Sequence, residues 1–121
     1  MWWQENERNI MRMQRAVERG GRDFLMKVFT DSEIAFCESR HHKYPSYAAR
    51  FACKEAVMKA LGEFLTERVP FRLIEILNDP NGKPIVQLDS SVAAKIPDKK
   101  IMISLTHERT MASAVAILTG E

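Results

Sequence analysis

The chain has 121 residues, 45% of them hydrophobic and 28% charged, which is the size and balance of one globular domain able to bury a core. No run approaches the roughly 18 apolar residues that span a bilayer. The opening Met1-Trp2-Trp3-Gln4-Glu5 lacks the basic-then-apolar layout of a secretory leader, so a cytoplasmic protein is expected. A formal net charge of +2 names no partner by itself. Cys37 and Cys53 show neither metal-ligand spacing nor a disulfide framework and read as reduced core thiols.

The first helix is expected from about Asn6 to Arg19, stopped by Gly20-Gly21. Arg8, Arg12, Arg15 and Arg19 recur at helical spacing and share about 60° of arc, while Ile10, Met13 and Val17 form a separate apolar stripe. Such an arginine row is either a solvated face, partly offset by Glu7 and Glu18, or a docking face for an acidic partner. Met11 and Met13 would add adaptable apolar contact beside it. Nucleic acid is not expected, because the chain is nearly neutral and carries no binding motif. Arg22 to Val28 reads as a short helix turning Phe24, Leu25 and Val28 inward. Thr30-Asp31-Ser32-Glu33 is a capping box opening another short helix, to about Ser39. Arg40 to Pro45 is then a basic loop, in which His41 and His42 lack the partners of a metal site.

A longer helix is expected from a Ser46 cap to Gly62, with Gly62 in a left-handed turn. Phe51, Glu55 and Lys59 lie on one stripe at i, i+4, i+8, where the ordinary reading is a surface salt bridge of Glu55 with Lys59. Phe71 to Leu77 reads as a strand, Asn78 to Gly82 as a hairpin turn, and Pro84 to Leu88 as the return strand. Asp89 caps a short helix through Ala94 that Pro97 ends. Ile101 to Thr106 alternates like a strand, with Met111 to Leu118 as its partner across His107 to Thr110. Helices followed by strands argue for an α+β fold with a mainly antiparallel sheet, in a single domain over 1–121.

Three segments together resemble one family. Arg50 to Gly62 resembles the aromatic-x-x-Lys-Glu-Ala-x-x-Lys signature of the 4′-phosphopantetheinyl transferases. Ile103-Ser104-Leu105-Thr106-His107 resembles the Ser-x-Ser/Thr-His strand and turn of their small holo-[acyl-carrier-protein] synthases, and Gly82-Lys83-Pro84 their Gly-Lys-Pro turn. The resemblance runs from about Ile10 onward, in order and at matching spacings. It implies a 4′-phosphopantetheinyl transferase-like fold and transfer of the phosphopantetheine arm of coenzyme A to a serine of apo-acyl carrier protein, releasing 3′,5′-ADP. It also implies Mg²⁺, a homotrimer with coenzyme A at protomer interfaces, and a place in fatty-acid synthesis. Glu55 matches a metal ligand that also helps take the serine proton, directly or through water, and Lys59 matches a pyrophosphate contact. Arg50 and His107 match contacts to the coenzyme A 3′-phosphate. Lys43, Gly62, Pro84 and Ser104 match further positions around coenzyme A, and Gly62 would let the chain turn close to it. Arg12, flanked by Arg8 and Arg15, matches the carrier-docking arginine.

The resemblance weakens at the start. The family opens on a strand ending in Gly-x-Asp, whose Asp is the second metal ligand; counting back from Arg12 puts Asn6 at that position and Gln4 at the Gly. Either the start is altered, or metal binding is weakened and the protein holds coenzyme A or carrier with little transfer. Glu108 after His107, and Glu63-Phe64 where a second glycine is common, depart in smaller ways.

Overall fold

The structure, a computed structural model, describes the backbone of residues 2–108 and 111–120 and the side chains of residues 8–103. Helix α1 covers Trp2–Val28, so it begins earlier than the expected Asn6 and resumes beyond the glycine pair. It is not one straight rod. Gly21 has φ 57° and ψ −145°, a backbone state open to glycine and strained for other residues, and the helix kinks there. Gly20 is required for space instead: a Cβ there would lie 2.5 Å from the Cβ of Phe24. The kink lets both halves of α1 face the core, with Met13 buried from the first half and Leu25 and Val28 from the second.

Helix α2 (Asp31–Glu38) opens on the expected capping box, the Glu33 amide donating to Thr30 Oγ1 at 3.3 Å and the Thr30 amide to Glu33 Oε1 at 2.8 Å. Helix α3 (Lys43–Leu61) starts three residues ahead of the expected Ser46. Pro45 is tolerated because it occupies the first turn, where no intrahelical partner awaits an N–H. Ser46 is no cap; its hydroxyl donates to Cys37 Sγ at 3.3 Å. Gly62 also departs from expectation, being right-handed at φ −60°, ψ −19°, with its N–H bonded to the Met58 carbonyl at 3.0 Å. The helix therefore ends by running down, without a left-handed cap.

Phe71–Leu73, expected as the start of a strand, forms a 3₁₀ turn after Pro70. Strand β1 (Ile74–Asn78) then pairs antiparallel with β2 (Pro84–Leu88), Ile74 opposite Leu88 and Asn78 opposite Pro84. Their turn is locked by Asp79 Oδ1, which accepts from the amides of Asn81 (2.9 Å) and Lys83 (2.8 Å), with Gly82 at φ 85°. A single helical turn, α4 (Ser90–Ala93), follows its Asp89 cap. Strands β3 (Lys99–Glu108) and β4 (Met111–Gly120) form a second antiparallel pair, longer than expected; residues 109–110 of the expected turn lie outside the described residues. The expected antiparallel sheet is thus two hydrogen-bonded hairpins, with β2 beside β3.

Helix α3 joins the two halves of the core. Its Tyr47 and Ala48 pack with Met13, Leu25, Phe29, Ile34 and Cys37 from α1 and α2. One to three turns later Cys53, Val57 and Leu61 pack with Ile74 and Ile76 of β1, Val92 and Ile96. Among the described residues no helix is long and apolar enough to cross a membrane.

Candidate active site

Small side chains leave a groove between α1 and α3. A cavity of about 290 Å³ is lined by Asn9, Arg12 and Met13 from α1 and by Ala48, Ala52 and Glu55 from α3, with Phe24 and Phe51 closing its apolar side. Phe51 is fixed by stacking on Phe71, the ring centroids 5.2 Å apart. Three of the expected site elements therefore meet here: Glu55, the aromatic one turn before it, and Arg12 of the arginine row. Asn9, Ala48 and Ala52 were not singled out by sequence; the Ala-rich spacing of α3 was the available signal, since alanines at i, i+4 let a second helix or a ligand approach closely.

The electrostatics of the groove favour a ligand. Glu55 and Lys59 are exposed, and they make no ion pair with each other, so the ordinary salt-bridge reading fails. Arg12 is exposed and, among the described residues, has no carboxylate partner either. Arg8, Arg15 and Arg19 share its exposure. A carboxylate and a guanidinium thus line one cavity without neutralising each other. Among the described residues no three His, Cys, Asp or Glu side chains cluster to hold a metal ion unaided. The oxygen donors on offer are the Glu55 carboxylate and the Asn9 amide. That set fits Mg²⁺, which commonly takes one or two carboxylates and completes its shell with water and substrate phosphates.

Of the other expected residues, those described do not line this cavity. Arg50 is only 6% exposed, and its guanidinium donates to the Ile76 carbonyl and to Asn78 Oδ1, both at 2.5 Å, while stacking 4.1 Å over Phe36. Among the described residues its buried Nε has no hydrogen-bond partner. In this chain Arg50 therefore ties α3 to the end of β1. Lys43, at the start of α3, lies 3.5 Å from Glu38 Oε1, and Glu38 Oε2 accepts from the Tyr47 hydroxyl at 2.6 Å. Burial, with the Glu38 bond second, drives the Tyr47 pKa far above its ordinary value. Gly62 is exposed, and Pro84 half-buried opposite Asn78. Ser104 and His107 stand on β3 opposite Val115 and Ala112, and Asn6 on the first turns of α1; the side chains of all three lie outside the described residues.

Sequence reading also missed a buried ion pair. Lys54 and Glu33, both fully buried, are joined through Lys54 Nζ and Glu33 Oε1. Burial pulls the Lys54 pKa down, and the Glu33 charge opposes that shift. The signal was present: Lys54 falls at a core position of α3, three residues before Val57 and seven before Leu61.

Residues 8–114 match the family model of the 4′-phosphopantetheinyl transferase superfamily. The chain is 50% identical over 115 residues to the holo-[acyl-carrier-protein] synthase of Ruminiclostridium cellulolyticum, covering 91% of this chain and 85% of that one. It is 42% identical over 111 residues to the holo-[acyl-carrier-protein] synthase of Chlorobium luteolum, covering 91% and 92%. The Helicobacter pylori holo-[acyl-carrier-protein] synthase in complex with coenzyme A superposes with a TM-score of 0.77 at 28% identity, over 91% of this chain and 93% of that one. Sequence and fold agree over nearly the full length, and the chain belongs to the 4′-phosphopantetheinyl transferase superfamily.

Proposed function

We propose that the chain, as a single domain over 1–121, transfers the 4′-phosphopantetheine arm of coenzyme A to a serine of apo-acyl carrier protein and releases 3′,5′-ADP. The carrying observation is the α1–α3 groove, which holds a carboxylate and a guanidinium without ion-pair partners among the described residues, in a chain so similar to holo-[acyl-carrier-protein] synthases. In the reaction the serine oxygen attacks the phosphorus nearest the pantetheine, the bond to the departing nucleotide breaks, and the serine proton must leave. Glu55 is the group in the groove able to accept that proton, directly or through a water. Lys59, one turn along α3, offsets the charge of the pyrophosphate. Mg²⁺, when bound, would neutralise charge developing on the phosphate oxygens; Glu55 would hold it, with Asn6 or Asn9 offering a neutral oxygen. Lys43, Arg50, Gly62, Pro84, Ser104 and His107 surround the rest of coenzyme A, by likeness to the family.

Arg8, Arg12 and Arg15 form the face for the acidic carrier, because a row of forked donors pairs with carboxylates. A homotrimer follows from likeness to the family, and Ile85 and Met102, 45% and 56% exposed on β2 and β3, are apolar side chains it could cover. Work in cytoplasmic fatty-acid synthesis follows from the same likeness. A protein that only binds coenzyme A or carrier is the weaker reading, since the likeness to transferases covers almost the whole chain.

The test is direct. Incubated with apo-carrier, coenzyme A and millimolar Mg²⁺, the protein should raise the carrier mass by one phosphopantetheine arm, and EDTA should suppress the gain. An unchanged carrier mass refutes the proposal. Faster loading by Asn6→Asp would trace any weakness in the wild type to metal binding.

A further inference from the structure

Lys54 directly precedes Glu55, yet it points about 100° away, into the core, and none of the roles above uses it. Its ammonium has three protons and three acceptors: the Glu33 carboxylate, the Val28 carbonyl at 2.7 Å and the Phe71 carbonyl at 3.1 Å. It also sits 5.4 Å from the centre of the Phe29 ring. Glu33 is as fully engaged. Besides Lys54, its carboxylate accepts from the Thr30 amide that opens α2 and from the Ile76 amide of β1, each at 2.8 Å. One buried ion pair therefore gathers the end of α1, the cap of α2, the 3₁₀ turn and β1 around a single point on α3.

Stability alone is a poor reason for this arrangement. Burying two charges costs about as much as their attraction returns, and well-packed apolar replacements are often neutral or better. What the pair does supply is direction. Successive residues on a helix point about 100° apart, so fixing Lys54 fixes the bearing of Glu55 beside it and of Lys59 a turn later. The bond to Val28 matters most, because it ties that bearing to the second half of α1, the segment from which Phe24 reaches the groove.

We propose that Lys54 and Glu33 are a positioning pair, setting the rotation of α3 against α1 so that Glu55 faces the groove shared with Arg12 and Asn9. This rests on the transfer reaction taking place in that groove. The pair touches no substrate and acts through Glu55, so its loss should lower kcat and leave the KM for coenzyme A and for carrier little changed.

The test uses the double variant Glu33→Gln/Lys54→Met, which removes both buried charges together while the glutamine oxygen still serves the capping box. The expected result is a folded protein with a lowered unfolding midpoint, because the Val28 and Phe71 carbonyls and the Ile76 amide lose their partners, with kcat per folded molecule reduced at least tenfold and both KM values within about threefold. Glu33→Asp is the second variant: it keeps the charge but draws the carboxylate back by one methylene, and should lower kcat three- to tenfold, read per folded molecule, should the double variant fail to fold. Wild-type kcat in either folded variant overturns the proposal, as does a loss carried by KM. A wild-type protein that loads no carrier refutes the transfer reading itself, and the positioning role with it.

Discussion

Removing the Arg50 side chain tests how the site is braced. Arg50→Met deletes two charge-assisted hydrogen bonds, to the Ile76 carbonyl and Asn78 Oδ1, and a guanidinium stacked on Phe36. Each bond contributes about 1.5–3 kcal/mol, and the stacked cation about 0.5–2 kcal/mol. Methionine recovers part of the packing and removes the unpartnered Nε, so the net loss should be about 2–4 kcal/mol. At a urea m value of about 1.5 kcal/mol/M, the midpoint followed by far-UV circular dichroism falls by ~1.5–2.5 M. Asn78→Ala removes one of the two bonds and should cost about 1–2 kcal/mol. Because both changes break the same tie, the double variant should lose less than the sum of the singles. Arg50→Met within about 0.5 kcal/mol of wild type, or full additivity with Asn78→Ala, refutes the bracing role. A kinetic arm separates bracing from ligand contact. If Arg50 also meets the 3′-phosphate, Arg50→Met abolishes the preference for coenzyme A over its 3′-dephospho form, whereas Asn78→Ala preserves it.

Arg12→Glu should raise the KM for carrier at least tenfold while calorimetric binding of coenzyme A changes less than threefold; equal losses would remove Arg12 from the docking face. Gly21→Ala should destabilise the chain by about 1–3 kcal/mol, because alanine cannot hold the backbone at the kink without strain, and an unchanged melting temperature would show that the kink is dispensable. Burial pushes the Cys53 thiol from 9.0 up to about 11, so the folded chain keeps a proton that the unfolded chain releases earlier. Stability from this group is whole below pH 9 and is lost as pH rises towards 11. Between pH 8 and 10 the loss should be about 1 kcal/mol from Cys53 alone, and Cys53→Ala should flatten the slope by that amount. An unchanged slope in the variant would show that Cys53 does not titrate as its burial requires.

The parts of the fold that were legible in sequence are those set by neighbours in the chain. The Thr30–Glu33 capping box, the Asn78–Gly82 turn and the Asp89 cap each close over three to five residues, and each is present. Misreadings arose where one residue type permits two backbones. Glycine suits a left-handed cap, yet Gly62 has no need of one; the same freedom at Gly21 makes a kink where a stop was expected. Proline before Ser46 looked like a boundary, but a first-turn proline leaves the helix intact, so α3 reaches back to Lys43. The site divides in the same way. The helix faces that carry Glu55 and Arg12 were readable from spacing, while the roles expected of them came from the resemblance. The ties that Arg50 and Lys54 make were not, because their partners lie 17 to 28 residues away and only the packed structure brings them together.

Arg12 belongs to two features at once, and under the proposed function this would couple recognition to chemistry. It is the second member of the exposed row Arg8, Arg12, Arg15, Arg19, and it also lines the groove that holds Glu55. At 1.5 Å rise per residue the row is about 17 Å long, three turns of helix. An acidic helix laid along it has few registers that pair all four guanidinium groups, and a slip of one turn would carry its serine about 5 Å along α1. Glu55 would not follow, because α3 is held at Arg50 and Lys54, one turn apart on the same buried face. If the carrier docks on this row as proposed, the held wall would make the register of the partner decide whether its serine meets the carboxylate. A row of charges on a freely rotating helix would bind an acidic partner equally well and align nothing.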